Sequence, residues 1–448
     1  MLEAGMTLIA ILLLTGLVAF VAARFERSMR RWIWLAFVEY LVASAAQMLY
    51  TRVIYSGGDA LLYLSTGVQI STLLDVNFSF VAPEVLALLF QRPSMFDEVV
   101  YGGGGRNTSS MHAIATIIVY VFRGSTYAAN VFVAGLSFLG ATAIFAACRA
   151  AAREIPWQRI FLATVIFPSV AFWTATFNKE AFALMGIGAL LTAWRGFFQR
   201  RWLLLVLSAP VGFTLLYLFR APALAPLFVG FAVHYVAERG GGVGEKAARL
   251  RPAYVLLGVL ALAVGMLALT RLIPSLGVAN LGETVATQQR AWTTAGGTST
   301  FAMDDGEVPQ SFGGQLLRIP IGLFNALLRP QLFDVHNVSA LVSAVEMTFI
   351  TYLLLRAVKV HGFRGVIAHV QRSPFLLMCF VVTLIGCAFV GLVTFNFGSL
   401  ARYRVPFLPF YGCLLSGIAD RVAAPARART TANPALVELA RRRGRRAA

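Results

Sequence analysis

The chain has 448 residues, 58% of them hydrophobic and 13% charged, with a mean hydropathy of +0.74. That composition excludes an ordinary water-soluble domain and describes a polytopic helical membrane protein. The formal net charge of +18 does not describe a nucleic-acid binder. The excess sits in short turns and a tail, where it opposes the negative surface of a membrane leaflet.

Apolar segments long enough to cross ~30 Å of hydrocarbon recur along the whole length. They fall at about 5–23, 32–50, 127–148, 160–176, 180–196, 202–219, 221–237, 253–272, 340–356, 374–395 and 405–419. Threading these eleven crossings alternately puts most of the basic residues on one side. Arg24, Arg27, Arg30 and Arg31 share it with Arg149, Arg153, Arg159, Arg195, Arg200, Arg201, Arg239, Arg356, Lys359 and an arginine-rich tail. The positive-inside rule makes that side cytoplasmic, with the N-terminus outside and the C-terminus inside. Glu3 and the lack of a basic residue before the first apolar run argue that this segment is retained rather than cleaved as a signal peptide.

The expected organisation is an extra N-terminal helix and basic loop (1–31), an all-α membrane core (32–420) and a basic cytoplasmic tail (421–448). Two outer segments, 51–126 and 273–339, are too long for simple turns, and loops of that length are usually functional or disordered. The first holds amphipathic stretches at Ala60–Leu74, Val81–Phe90 and Met111–Phe122, which predict juxtamembrane helices. Gly102–Gly105 and Gly240–Gly242 read as hinges, because neither follows a strand or opens a phosphate loop. Cys148, Cys379, Cys387 and Cys413 lie in apolar runs as small buried hydrophobes. Asp304, Asp305 and Glu307 read as a solvated turn. His112, His234 and His336 have no zinc-ligand spacing, so no metal site is expected.

Chemistry concentrates at the outer ends of the apolar runs. In Tyr55-Ser-Gly-Gly-Asp59-Ala-Leu-Leu-Tyr63, two glycines free the backbone and Tyr63 follows Asp59 by one helical turn. Asp59 is either the cap of a juxtamembrane helix or a carboxylate placed as a general base. Asn178-Lys179-Glu180 interrupts a run otherwise apolar from Phe161 to Ala193. Burying that triplet mid-membrane would cost several kcal/mol, so it belongs at the outer end of a tight hairpin. It is either a polar turn with a Lys–Glu pair or a place where Lys179 meets a lipid phosphate.

Arg220, Arg329, Arg402 and Arg404 also fall at outer helix ends, where the charge bias disfavours arginine. Each could snorkel to headgroups, but the planar guanidinium fork also suits phosphate oxygens. Glu39 and Glu346 lie inside apolar runs, where a carboxylate is a functional candidate or, for Glu346, the partner of one of those arginines.

Several of these stretches resemble a family. Gly57-Gly58-Asp59 with Tyr63 is similar to the first outer loop of GT-C glycosyltransferases, integral membrane enzymes that use polyprenyl-phosphate sugars. Phe167-Pro-Ser with Phe172-Trp173 and Asn178-Lys179-Glu180 resembles a segment of bacterial membrane proteins from surface-polysaccharide loci. Leu328-Arg-Pro330, His336-Asn337, Glu346 and Arg402-Tyr-Arg404 look like later segments of the same proteins. The resemblance implies a base at Asp59 and a donor-phosphate grip at Lys179, Arg220, Arg402 and Arg404, with Tyr63, Glu180, Arg329 and Glu346 as secondary candidates. It further implies a lipid-linked sugar donor, a glycan or lipid acceptor, and action on the outer face of a bacterial inner membrane. Many members carry an acidic pair where this chain has Asp59 alone, and the N-terminal crossing is additional. The competing readings are a polysaccharide polymerase, weighted on Arg290, Arg318 and Arg329, and a transporter or flippase.

Overall fold

The computed structural model describes residues 1–54, 57–100, 105–239, 270–271, 278–295, 301, 308–335 and 338–419. Among them every regular element is helical. Gly102–Gly104, Gly240–Gly242, Asp304, Asp305, Glu307, His336, Asn337, the tail 421–448 and nearly all of the expected crossing 253–272 lie outside the described residues.

The elements begin with α1 (Leu2–Ala22) and α2 (Arg27–Leu49), which runs into a π turn at Tyr50–Ile54. Three helices follow in the long segment before the next span: α3 (Asp59–Val76), α4 (Phe78–Leu89) and α5 (Gly105–Val121). Then come α6 (Thr126–Ala151), the short α7 (Trp157–Thr164) and α8 (Pro168–Thr174), α9 (Lys179–Phe198), α10 (Trp202–Arg220) and α11 (Leu224–Arg239). The remainder are α12 (Val278–Ala295), α13 (Phe312–Leu317), α14 (Ile319–Leu328), α15 (Val338–Arg372), α16 (Pro374–Val393), α17 (Phe397–Tyr403) and α18 (Leu408–Ile418).

Seven candidate membrane spans are present among the described residues, and one of them, Trp202–Arg239, contains both α10 and α11. The expected crossing at 160–176 is not one helix. Pro168 opens α8 without a backbone N–H to give, and Phe167 before it is extended (ψ 119°), so the run breaks into α7 and α8. The segment at 405–419 forms only the 11-residue α18. In the other direction, α15 runs 35 residues with a break at Gly362, whose φ of +67° suits glycine.

One core joins α1, α2, α6 to α11 and α14 to α18, and a second ties α3 and α5 to α6, α9 and α10. Lipid tails are as apolar as leucine, so close packing rather than hydrophobicity must hold the spans together. Small residues permit it: a Cβ on Gly188 of α9 would lie 2.5 Å from the Gly140 carbonyl oxygen of α6, and one on Gly212 of α10 would lie 2.7 Å from that of Gly186.

The bundle has two distinct ends. At one, Arg149 at the end of α6 bonds Glu26 in the α1–α2 turn (2.5 Å), and Arg195 lies within electrostatic reach of Arg149 and Arg201. At the other, Glu3 accepts the Ser125 hydroxyl (2.5 Å) and the Thr126 N–H (3.3 Å), which ties the start of α1 to the start of α6. The starts of α3 and α9 and the end of α10 lie at this second end.

Candidate functional site

The site begins with a backbone device. After the π turn, Gly58 takes φ +109° and becomes the N-cap of α3, so Asp59 is the first helical residue. The expected capping bond from Asp59 is absent. Its carboxylate instead accepts from Arg402 Nη1 at 2.7 Å, across 343 residues of chain. Tyr63, one turn along, is buried and meets the His112 ring edge-on at 5.1 Å.

A second device sets the start of α9. Asn130, a polar residue in the apolar run of α6, donates to Ser44 Oγ (2.8 Å). Its carbonyl accepts the Thr176 hydroxyl (3.0 Å) and the Phe177 N–H (2.8 Å). That bracket holds the turn from which Lys179 and Glu180 emerge. Thr176–Asn178 is buried, so its backbone groups need such partners.

Lys179 and Glu180 do not pair with each other. Lys179 Nζ donates to Asn107 Oδ1 (3.2 Å) and Thr108 Oγ1 (3.0 Å) at the start of α5. An ammonium has three donors, so one remains for another acceptor. Glu180 is fully buried and takes two arginines: Arg402 Nε reaches Oε2 at 2.7 Å, and Arg220 Nη2 bonds Oε1. Arg220 also stacks its guanidinium over the Tyr403 ring at 4.2 Å. The chain of contacts therefore runs Asp59–Arg402–Glu180–Arg220.

Electrostatics follow from this packing. Burial works against a charge on Arg402, but Glu180 and Asp59 outweigh it and hold the guanidinium above its ordinary pKa. Burial and then the Asp59 carboxylate push the Tyr63 phenol up. Burial, aided by the Lys179 charge, pushes His112 down to about 4, so the ring is neutral at physiological pH. Both of its ring nitrogens lack a hydrogen-bond partner. Three cations (Lys179, Arg220, Arg402) thus face two carboxylates, leaving the cluster one positive charge in excess. Asp59 is its accessible member: half its side chain is exposed, and it lines a cavity of about 630 Å³.

The other candidate arginines do not join this cluster. Arg404, two residues from Arg402, is completely buried and donates to the Arg329 carbonyl (2.6 Å) and Ser343 Oγ (2.9 Å). Arg329 pairs with Asp334 (2.6 Å), and its guanidinium lies over Phe397 (4.8 Å) and Phe301 (5.2 Å). Glu346 accepts the Ser169 N–H at 2.7 Å and lies within electrostatic reach of Arg404 without a direct hydrogen bond to it. These residues lock α8, α14, α15 and the turn after α17 together. A guanidinium already bonded to carbonyls in the interior has little left for a phosphate, so the expected grip loses Arg404. His234 accepts from Trp194 Nε1 at Nδ1 (2.9 Å).

Sequence reasoning missed Asn107, Thr108, Asn130 and Tyr403, and it set His112 aside. Only Asn130 carried a signal, as an amide inside an apolar span. Among the described residues no three His, Cys, Asp or Glu side chains come together as metal ligands. Comparison of the chain with family models, curated proteins and solved structures returns no match.

Proposed function

We propose that the protein is a GT-C-like membrane glycosyltransferase. It moves a sugar from a polyprenyl phosphate to a glycan or lipid acceptor on the outer face of a bacterial inner membrane. The observation that carries this reading is the Asp59–Arg402–Glu180–Arg220 chain with Lys179 beside it. It is a carboxylate open to a cavity, next to a cationic group with one charge to spare, at the bundle end opposite the basic turns.

In this reading the donor phosphate lies against Lys179 and the free edges of Arg402 and Arg220. Neutralising the developing phosphate charge lowers the barrier to breaking the bond from the anomeric carbon to the phosphate oxygen. Asp59 takes the proton of the acceptor hydroxyl as that oxygen bonds the anomeric carbon, and polyprenyl phosphate departs. Glu180 touches neither substrate. It fixes both guanidiniums in place before the donor binds, which removes a reorganisation cost from the reaction. The site lies at helix ends rather than in the middle of the spans, which favours transfer at the membrane surface over transport through it.

The test is single-sugar transfer from a radiolabelled polyprenyl-phosphate sugar by the purified chain in nanodiscs. Turnover by wild type with loss in Asp59→Asn supports the reading. Consumption of lipid-linked repeat units alone would replace it with a polymerase, and movement of intact substrate without a new glycosidic bond would remove both.

A further inference from the structure

The cavity beside Asp59 carries more than the base. It lies between the π turn, the first turns of α3 and the start of α6, and its volume of about 630 Å³ falls within the usual range for ligand sites, ~300–1,000 Å³. One wall is apolar, made by the half-buried Leu61 and by Leu62, which is 45% exposed, over the buried Leu64. The charged side chains lining it are Arg52 and Asp59.

These two opposite charges share a cavity and do not pair. Asp59 is turned to Arg402, while Arg52 donates to Tyr127 Oη (2.8 Å) and Thr126 Oγ1 (3.0 Å) with its guanidinium 4.4 Å over the Tyr127 ring. Among the described residues no carboxylate reaches Arg52. Glu3, close by through Ser125 and Thr126, bonds those two residues instead. A cation suits the C-terminal end of α2, yet every partner it finds is neutral. Arg52 also sits in a π turn, a local widening that recurs at functional sites. The candidate span of α2 ends at Val53, which is exposed and apolar, so the cavity mouth lies where a bilayer meets water.

We infer that this cavity binds an anionic amphiphile, whose acidic group is held by Arg52 and whose hydrocarbon lies along Leu61 and Leu62. Its role as the acceptor, with a hydroxyl presented to Asp59, rests on the transferase reading above; its binding does not. Arg52 is then a specificity residue that selects acceptors with a phosphate or carboxylate near the reacting hydroxyl. The site is separate from the Lys179, Arg220 and Arg402 group, and Asp59 stands between the two.

The experiment uses the full chain in phosphatidylcholine nanodiscs with decyl phosphate carrying a photoreactive diazirine in its chain. Labelled peptides are mapped by mass spectrometry, with unlabelled decyl phosphate, decyl glucoside and inorganic phosphate as competitors. Label should fall within residues 52–65, and decyl phosphate should compete about tenfold better than either other probe, the scale of one charge-assisted hydrogen bond. Arg52→Gln should remove that preference and Arg52→Lys should keep part of it. Equal competition by decyl glucoside, or a preference unchanged in both variants, overturns the inference. Competition by inorganic phosphate alone means a free anion rather than an amphiphile, which also overturns it. Labelling is read without any sugar donor, so a failed transferase assay and a failed binding assay remain distinct results.

Discussion

Glu180→Gln removes one charge from the centre of the site while keeping its volume. In the native protein the carboxylate is fully buried and takes both Arg220 and Arg402. Two unit charges ~4 Å apart attract by ~4 kcal/mol at an effective dielectric of 20, but the native pair has already lost hydration, so the net value of the bridge is smaller. Breaking it is costly all the same, because two mostly buried guanidiniums are left repelling each other, with only the partly exposed Asp59 carboxylate on the far side of Arg402. Removing one partner of a buried pair typically costs ~3–5 kcal/mol. At ~2.1 cal/mol/K of unfolding entropy per residue, spread over 448 residues, that is a fall in Tm of about 3–5 °C. The assay is thermal unfolding in detergent, followed by loss of monomer on size exclusion. Combining Glu180→Gln with Arg220→Met should recover part of the loss, since it removes one of the two stranded cations. A Glu180→Gln protein that melts within a degree of wild type would refute the reasoning, because the carboxylate would then not be holding the arginines.

Other substitutions should separate chemistry from support. Asp59→Asn should abolish sugar transfer with little change in melting. Its bridge to Arg402 is half exposed, and such pairs are worth ~0–1 kcal/mol; retained turnover would move the base elsewhere. Arg404→Lys should lower Tm while leaving the KM for donor unchanged, because it breaks the bonds to the Arg329 carbonyl and Ser343; a raised KM with normal melting would return Arg404 to the phosphate grip. Gly391→Leu should cost ~1–3 kcal/mol or more by forcing α14 and α16 apart at Gly322, read as reduced monomer yield and a lower melting point. In intact cells, Ser65→Cys and Asp97→Cys should react with a membrane-impermeant maleimide, while Arg200→Cys and Lys359→Cys stay protected; the opposite pattern would move the proposed site to the cytoplasmic face.

Much of this arrangement could be read from the chain because misplacing it would be expensive. Apolar runs of bilayer length admit few soluble alternatives, so the helical membrane class followed from composition. Asn178-Lys179-Glu180 stood out for the same reason, since it breaks an apolar pattern in which an unpaired charge would cost several kcal/mol, and Arg402 stood out because the charge bias disfavours arginine at that end of a helix. The helix patterns of 51–126 also appeared as α3, α4 and α5, with α5 longer than its amphipathic core. Local pattern failed where partners lie far along the chain. Lys179 next to Glu180 reads as a pair, yet Glu180 reaches 40 residues to Arg220 and 222 to Arg402. Arg402 and Arg404 read alike, yet one turns toward α3 and α9 and the other into the contact of α14 with α15. Two residues at the end of a helix point in different directions, and which neighbour stands there depends on how the spans pack. The sequence determines which charges need partners, because the cost of burying them is local. Only the tertiary structure decides which partner each one meets, because that depends on helices close-packed through Gly140, Gly186, Gly188 and Gly212, a contact no single segment specifies.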